Sequence, residues 1–189
     1  MSLFSAQARA ASPEDLAGLL CGQGQVHGFG RGTAARVSTV VADQWRAVEI
    51  VRACKERGLP AERGRAEEDH YSARTAFVAG LLPLATAWTC GAVKAVPSGW
   101  QLDGAALRLW VLAAGAPDGR GYLLGLDPRA PGTHTPLAAA LVAVGLSATL
   151  LDSRNGGPAL RVSGRRRLSR LAELVGESPH ATPTGLWPG

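Results

Sequence analysis

Three cysteines, Cys21, Cys54 and Cys90, and four histidines, His27, His70, His134 and His180, are the side chains here best suited to hold a metal or to act as nucleophile and base. Their spacing argues against both roles. No Cys-x-x-Cys pair or Cys/His ladder occurs, so neither a zinc site nor a disulfide framework is expected. Each cysteine lies among apolar neighbours and reads as a small buried hydrophobe. Glu67-Glu68-Asp69-His70 gathers carboxylates at an expected hairpin tip. Without the glycine geometry of a calcium loop it reads as a solvated turn. Gly28-Phe29-Gly30-Arg31-Gly32 resembles a phosphate loop in composition, but the P-loop lysine and Ser/Thr are missing and no helix starts at its last glycine. No Gly-x-Ser-x-Gly elbow is present. No catalytic residue, metal or cofactor is therefore expected.

Charge offers a different chemistry. Twenty Lys and Arg against 15 Asp and Glu leave a formal net charge of +5, which attracts polyanions, nucleic acid above all. The same charge would also serve solubility alone. The densest cluster is Arg165-Arg166-Arg167 with Arg170, on the first turns of an expected helix, where cations oppose the helix dipole. Arg36, Arg63, Arg65, Arg74, Arg120 and Arg161 fall on or beside expected strands. These ten arginines are the candidate nucleic-acid-binding residues. Which of them face outward depends on strand register, and a slip of one residue reverses every assignment.

The elements that must carry them follow from local signals. Ser12-Pro13-Glu14-Asp15 caps a helix through Leu16–Gly22 that stops near Gly24. Strands over 25–30 and 36–41 make a hairpin across Gly30-Arg31-Gly32. Asp43 caps a helix over 44–57, with Trp45, Val48, Ile50 and Val51 as its expected core face and Gly58 as its stop. A second hairpin is expected over 63–68 and 71–78, then a helix over 81–88. Residues 89–101 read as a linker. Asp103 caps the next helix, which closes at Gly115; a strand lies within 119–126, and Thr135-Pro136 starts a helix ended by Gly145. Strands over 147–151 and 159–163 flank an Asn155-Gly156-Gly157 turn, and a last helix spans 165–175.

The order helix, hairpin, helix, hairpin, helix thus occurs twice, as a diverged internal duplication gives. Arg57-Gly58-Leu59 matches Val144-Gly145-Leu146, and the strand-to-helix joints around Gly80 and Gly164 match as well. The expected class is α+β: a pseudo-symmetric pair of α-β-β-α-β-β-α units at 14–96 and 102–176, with flexible tails at 1–11 and 177–189. Hydrophobic residues at 46% and charged residues at 19% suit a packed core. With no signal peptide or long apolar run, a cytoplasmic protein without a membrane partner is expected.

Leu16-Ala17-Gly18-Leu19-Leu20-Cys21-Gly22-Gln23-Gly24, a helix running straight into a hairpin, resembles the nine-residue motif of the LAGLIDADG homing endonucleases. Its counterpart, Leu107 to Gly115, keeps little beyond the first leucine and last glycine. The resemblance, covering about residues 14–176, implies two motif helices packed along a pseudo-twofold axis, with Gly18 and Gly22 permitting close approach. It also implies saddle-shaped antiparallel sheets that sit on duplex DNA. In that family an acid near the end of each motif helix binds the divalent metal that cuts DNA. Gln23 and Ala114 stand at those places, so no nuclease activity is expected. A degenerate, non-cleaving version occurs in WhiA-type bacterial regulators, whose N-terminal part this sequence is similar to. Their promoter-reading helix-turn-helix would follow that part and is not read within these 189 residues. The expectation is a non-catalytic DNA-binding protein in regulation or chromosome-related processes. The alternative is a protein-interaction module using a sheet or exposed tryptophans, with Trp88, Trp100 and Trp110 near the linker.

Overall fold

The computed structural model describes residues 6, 9–152 and 157–189. Ser12 begins the first unit with a capping box: its hydroxyl accepts from the Glu14 N–H, and its own N–H donates to Asp15 Oδ2 at 3.1 Å. A single 3-10 turn, Pro13–Leu16, leads into α1 (Ala17–Cys21), every residue of which is buried. Then follow β1 (Gln25–Phe29), β2 (Ala34–Val41), α2 (Gln44–Glu56), β3 (Ala61–Arg65), β4 (Tyr71–Thr75) and α3 (Leu82–Trp88). A two-rung hairpin, β5 (Thr89–Cys90) and β6 (Val93–Lys94), occupies the expected linker. The second unit comprises α4 (Gly104–Ala114), β7 (Gly115–Asp118), β8 (Gly121–Gly125), α5 (His134–Ala143), β9 (Ala148–Leu151), β10 (Ala159–Val162) and α6 (Arg165–Val175).

The two sheets are antiparallel, with strand orders β1-β2-β4-β3 and β7-β8-β10-β9, one order written twice. The duplication extends to hydrogen bonds. α2 ends with Gly58 at φ +71°, Gly58 N–H donating to Lys55 O and Leu59 N–H to Cys54 O, both at 3.0 Å. α5 ends with Gly145 at φ +83°, donating to Val142 O at 3.0 Å, while Leu146 N–H donates to Leu141 O at 2.8 Å. Both are glycine-terminated helix stops whose following leucine is buried.

α1 and α4 pack side by side. A Cβ on Gly18 would lie 1.9 Å from Ala106 O and 2.9 Å from Leu109 Cβ, so only glycine allows these backbones to approach so closely. One apolar core spans both units, from Leu16, Leu19 and Ile50 to Leu124, Leu160 and Leu174.

Several expectations change. α2 buries Arg46, Ala47, Glu49, Ile50 and Cys54, while Val48 is exposed, so polar residues hold much of the face that apolar spacing assigned elsewhere. Cys21 and Cys54 are buried as expected, burial pushing the Cys54 thiol up to about 11, but Cys90 sits exposed on the short β5. Trp88 and Trp110 are core residues, Trp88 meeting Trp100 edge-on at 5.1 Å, so these are not exposed contact residues. β7 was not foreseen, because Gly115-Ala116-Pro117 carries no strand signal. Both terminal segments make contacts: Arg9 pairs with Asp15 and Asp103, and the Trp187 indole N–H donates to Gly176 O at 2.9 Å beneath the Arg108 guanidinium. Of the expected Asn155-Gly156-Gly157 turn, Asn155 and Gly156 lie outside the described residues.

Candidate nucleic-acid interface

Burial alternates along β2: Ala35, Val37, Thr39 and Val41 are buried against the helices, so Ala34, Arg36, Ser38 and Val40 lie on the other face. Cross-strand register carries this face through the first sheet. Gln25, His27 and Phe29 stand opposite Ser38, Arg36 and Ala34, and Arg74 stands opposite Ser38 and Glu62. In the second sheet, Tyr122, Leu124, Leu160 and Val162 face the core, which leaves Ala116, Asp118, Leu123, Thr149, Leu151 and Arg161 on the open face.

The ten candidate arginines separate accordingly. Arg36, Arg74 and Arg161 lie on the open faces. Arg74 is paired with Glu62 at 2.8 Å, and Arg161 with Asp118. Arg36 has no ion pair among the described residues; its guanidinium lies 4.4 Å from the centroid of the Phe77 ring. Arg63 and Arg65 project to the helical side of the edge strand β3, and Arg65 is 3.6 Å from Asp69. Arg120 is exposed in the β7–β8 turn. Arg165, Arg166 and Arg167 are exposed and Arg170 half-buried on α6. That helix packs Leu171, Leu174 and Val175 into the core and so belongs to the helical layer. The structure brings together Arg36 and Arg74 on one face and the four α6 arginines on one helix, but not the two groups. Arg31, exposed at φ +57° in the β1–β2 turn, adjoins the first face and is not among the ten.

The C-terminal ends of α1 and α4 meet two buried cations. The Lys94 ammonium donates to Gly22 O at 2.7 Å and Gly24 O at 2.9 Å, and is 2.6 Å from Asp127 Oδ2. The Arg46 guanidinium donates to Leu112 O at 2.8 Å and Gly115 O at 2.7 Å, and pairs with Asp43 at 3.0 Å. Each cation covers the negative end of a helix dipole and satisfies carbonyls that have no partner within the helix. The two aspartates occupy equivalent places, each two residues beyond the end of its strand, β2 or β8. Burial lowers the Lys94 pKa, opposed by its bond and charge interaction with Asp127. Burial also works against the charged form of Asp127; Lys94, the Arg129 N–H and the Gln25 amide prevail and hold it below the ordinary carboxylate range. Nothing in the sequence marked Lys94, which sat in an expected linker. Asp43, expected as a helix cap, makes no capping bond with its side chain.

The architecture matches solved structures. The homing endonuclease I-WcaI, solved bound to its DNA recognition sequence, aligns with a TM-score of 0.62 at 14% identity, over 91% of this chain and 84% of that one. The N-terminal LAGLIDADG domain of DUF199/WhiA aligns at 0.58 and 14% identity, over 92% of this chain and 88% of that one. This chain has the LAGLIDADG-like fold. Full-length DUF199/WhiA from Thermatoga maritima also aligns at 0.58 and 14% identity, over 89% of this chain and 56% of that one. No family model matches the sequence, and no curated protein matches it.

Within the LAGLIDADG-like frame, α1 and α4 are the two motif helices, and Gln23 and Ala114 stand at their ends. Gln23 is exposed at the mouth of a cleft of about 600 Å³ that reaches Ser38, His70, Asp127 and Arg129. Ala114 is half-buried; a Cβ added at Gly22 or at Gly125 would lie 3.2 Å from its methyl group, so a longer side chain at 114 would be crowded. The carbonyls at the two helix ends are held by Lys94 and Arg46.

Proposed function

We propose that this protein binds duplex DNA through the open faces of its two sheets without cutting it, in a regulatory or chromosome-related role. The observation that carries the reading is the duplicated pair of uncovered antiparallel faces, the first with an Arg36 that has no ion pair among the described residues and an exposed Arg31. Solved proteins of this fold include one bound to DNA, which supports a duplex as the ligand class. Absence of cleavage is supported by the chemistry at the motif-helix ends. An amide and a methyl group stand where a hard divalent ion needs carboxylates, and lysine and arginine already compensate the negative helix ends.

Binding of this kind is electrostatic. If Arg31, Arg36 and Arg120 with one further group meet phosphates, three to four contacts weaken affinity by about 40- to 150-fold between about 50 and 200 mM salt. Anisotropy titrations of a labelled duplex at those two salt concentrations test this. Replacing Arg31 and Arg36 with alanine should reduce the salt slope, whereas replacing Arg165, Arg166 and Arg167, which lie in the helical layer, should leave it nearly unchanged. Absence of duplex binding at the lower salt refutes the reading. One observation favours a protein partner instead: among the described strand residues the open face of the second sheet carries Ala116, Leu123 and Leu151, and the charges of Arg161 and Asp118 on it cancel. An apolar interface there would be nearly indifferent to salt.

A further inference from the structure

Phe29 and Phe77 lie on the open face of the first sheet, 62% and 37% exposed, where solvent-facing strand positions are ordinarily polar. They form one feature. Their ring centroids are 5.0 Å apart with planes tilted by 38°, and Arg36 stacks on Phe77. His27 stands beside Arg36 in register, and Arg31 projects from the adjoining turn. Neither stretch that builds this corner, 16–42 or 76–102, contains an aspartate or glutamate. The corner therefore combines exposed aromatic rings with cations, and neither stretch that builds it brings an anion.

That combination suits one ligand class. A duplex hides its base faces inside the stack and offers phosphate and groove edges, which call for donors and cations rather than phenyl rings. An unpaired base exposes a flat π-face, and open antiparallel sheets bind single strands by stacking bases on exposed aromatics while nearby cations hold the backbone. We propose that Phe29 and Phe77 form a stacking platform for an unpaired nucleobase, with Arg36 and Arg31 contacting the adjoining phosphates. The inference rests on the nucleic-acid reading above and adds to it: beside a duplex, the aromatic corner of the first sheet takes a single-stranded segment.

Neither ring belongs to the core, so each can be changed without emptying it. The test measures anisotropy of a labelled oligothymidylate of about 15 nucleotides and of a duplex of equal length. Wild type is compared with Phe29→Ala/Phe77→Ala, Phe29→Tyr and Phe29→Leu, each checked for an unchanged melting temperature. The double alanine variant should lose about tenfold or more in single-strand affinity while its duplex affinity moves less than about twofold. Tyrosine should retain binding, and leucine, apolar but without a π-face, should not. The platform is overturned if leucine binds as well as phenylalanine, if the alanine variant binds the single strand normally, or if single-strand binding is absent. It is also overturned if removing the rings only abolishes self-association in sedimentation, which would make the corner a contact between copies. Duplex binding without single-strand binding leaves the saddle reading standing and removes this one; the reverse keeps the platform and removes the saddle.

Discussion

Gly18→Ala adds one methyl group at the tightest point of the molecule. Its Cβ would sit 1.9 Å from Ala106 O and 2.7 Å from Ala106 C, more than an ångström inside ordinary contact, and both are backbone atoms of α4. No rotamer change relieves the clash, so α1 or α4 must shift, and both are buried along nearly their whole length. Overpacking of this kind costs about 1–3 kcal/mol and sometimes more, while replacing a helical glycine with alanine returns about 1 kcal/mol at most. With a rigid carbonyl as the obstacle, the variant should lose about 2 kcal/mol, lowering the melting temperature by roughly 4–8 °C in a chain of this size. Gly28→Ala serves as the control: nothing lies within 4 Å of its Cβ position, and alanine in a strand should be neutral or mildly stabilising. Differential scanning calorimetry of the three proteins suffices. If Gly18→Ala melts at or above the wild-type temperature, the backbone-to-backbone contact of the two motif helices is refuted.

Lys94→Met leaves Asp127 charged and buried with only Gln25 and a backbone N–H, and should cost about 3–5 kcal/mol by urea unfolding; Lys94→Met/Asp127→Leu should recover much of that loss. Because the Asp127 pKa is depressed in the folded protein, its stabilising contribution is full above the unfolded value near 4 and fades as pH falls through the lower folded value. Asp127→Asn should accordingly flatten the acid limb of a stability–pH profile, and an unchanged limb would contradict the pairing. Incubation with Mg²⁺ or Mn²⁺ should leave plasmid and duplex oligonucleotides intact; cleavage that disappears in Gln23→Ala would overturn the non-cleaving reading.

The duplication was legible because its signals are local: Ser12 and Asp103 as caps, Gly58 and Gly145 as stops, and the start of α6 at Arg165. The motif glycines were legible through resemblance, and the structure supplies their physical reason in the α1–α4 contact. What escaped depends on contacts between distant residues. The Lys94–Asp127 pair joins positions separated by an entire motif helix, and Arg46 reaches α4 from a face that apolar spacing could not identify. Arginine alone gave no hint of register, so Arg63 and Arg65 were grouped with Arg36 although they project from opposite sides of one sheet. The sequence places Phe29 in a strand and beside a glycine-rich turn, but its pairing with Phe77 depends on the assembled sheet.

The two cation clamps are crossed. Asp127, from the second unit, holds Lys94 over the end of the first unit's helix; Asp43, from the first unit, holds Arg46 over the end of the second unit's helix. Neither half carries a complete set. Cut between Val96 and Leu102, the first fragment would keep a lysine stripped of its carboxylate and an arginine stripped of its carbonyls, and the second an orphaned aspartate and a bare helix end. Two units of one architecture are thus mutually dependent through shared charges, and local opening of one half strips electrostatic partners from the other. Cooperativity between the halves is written into four side chains, and amide exchange at the ends of both motif helices should follow a single opening event.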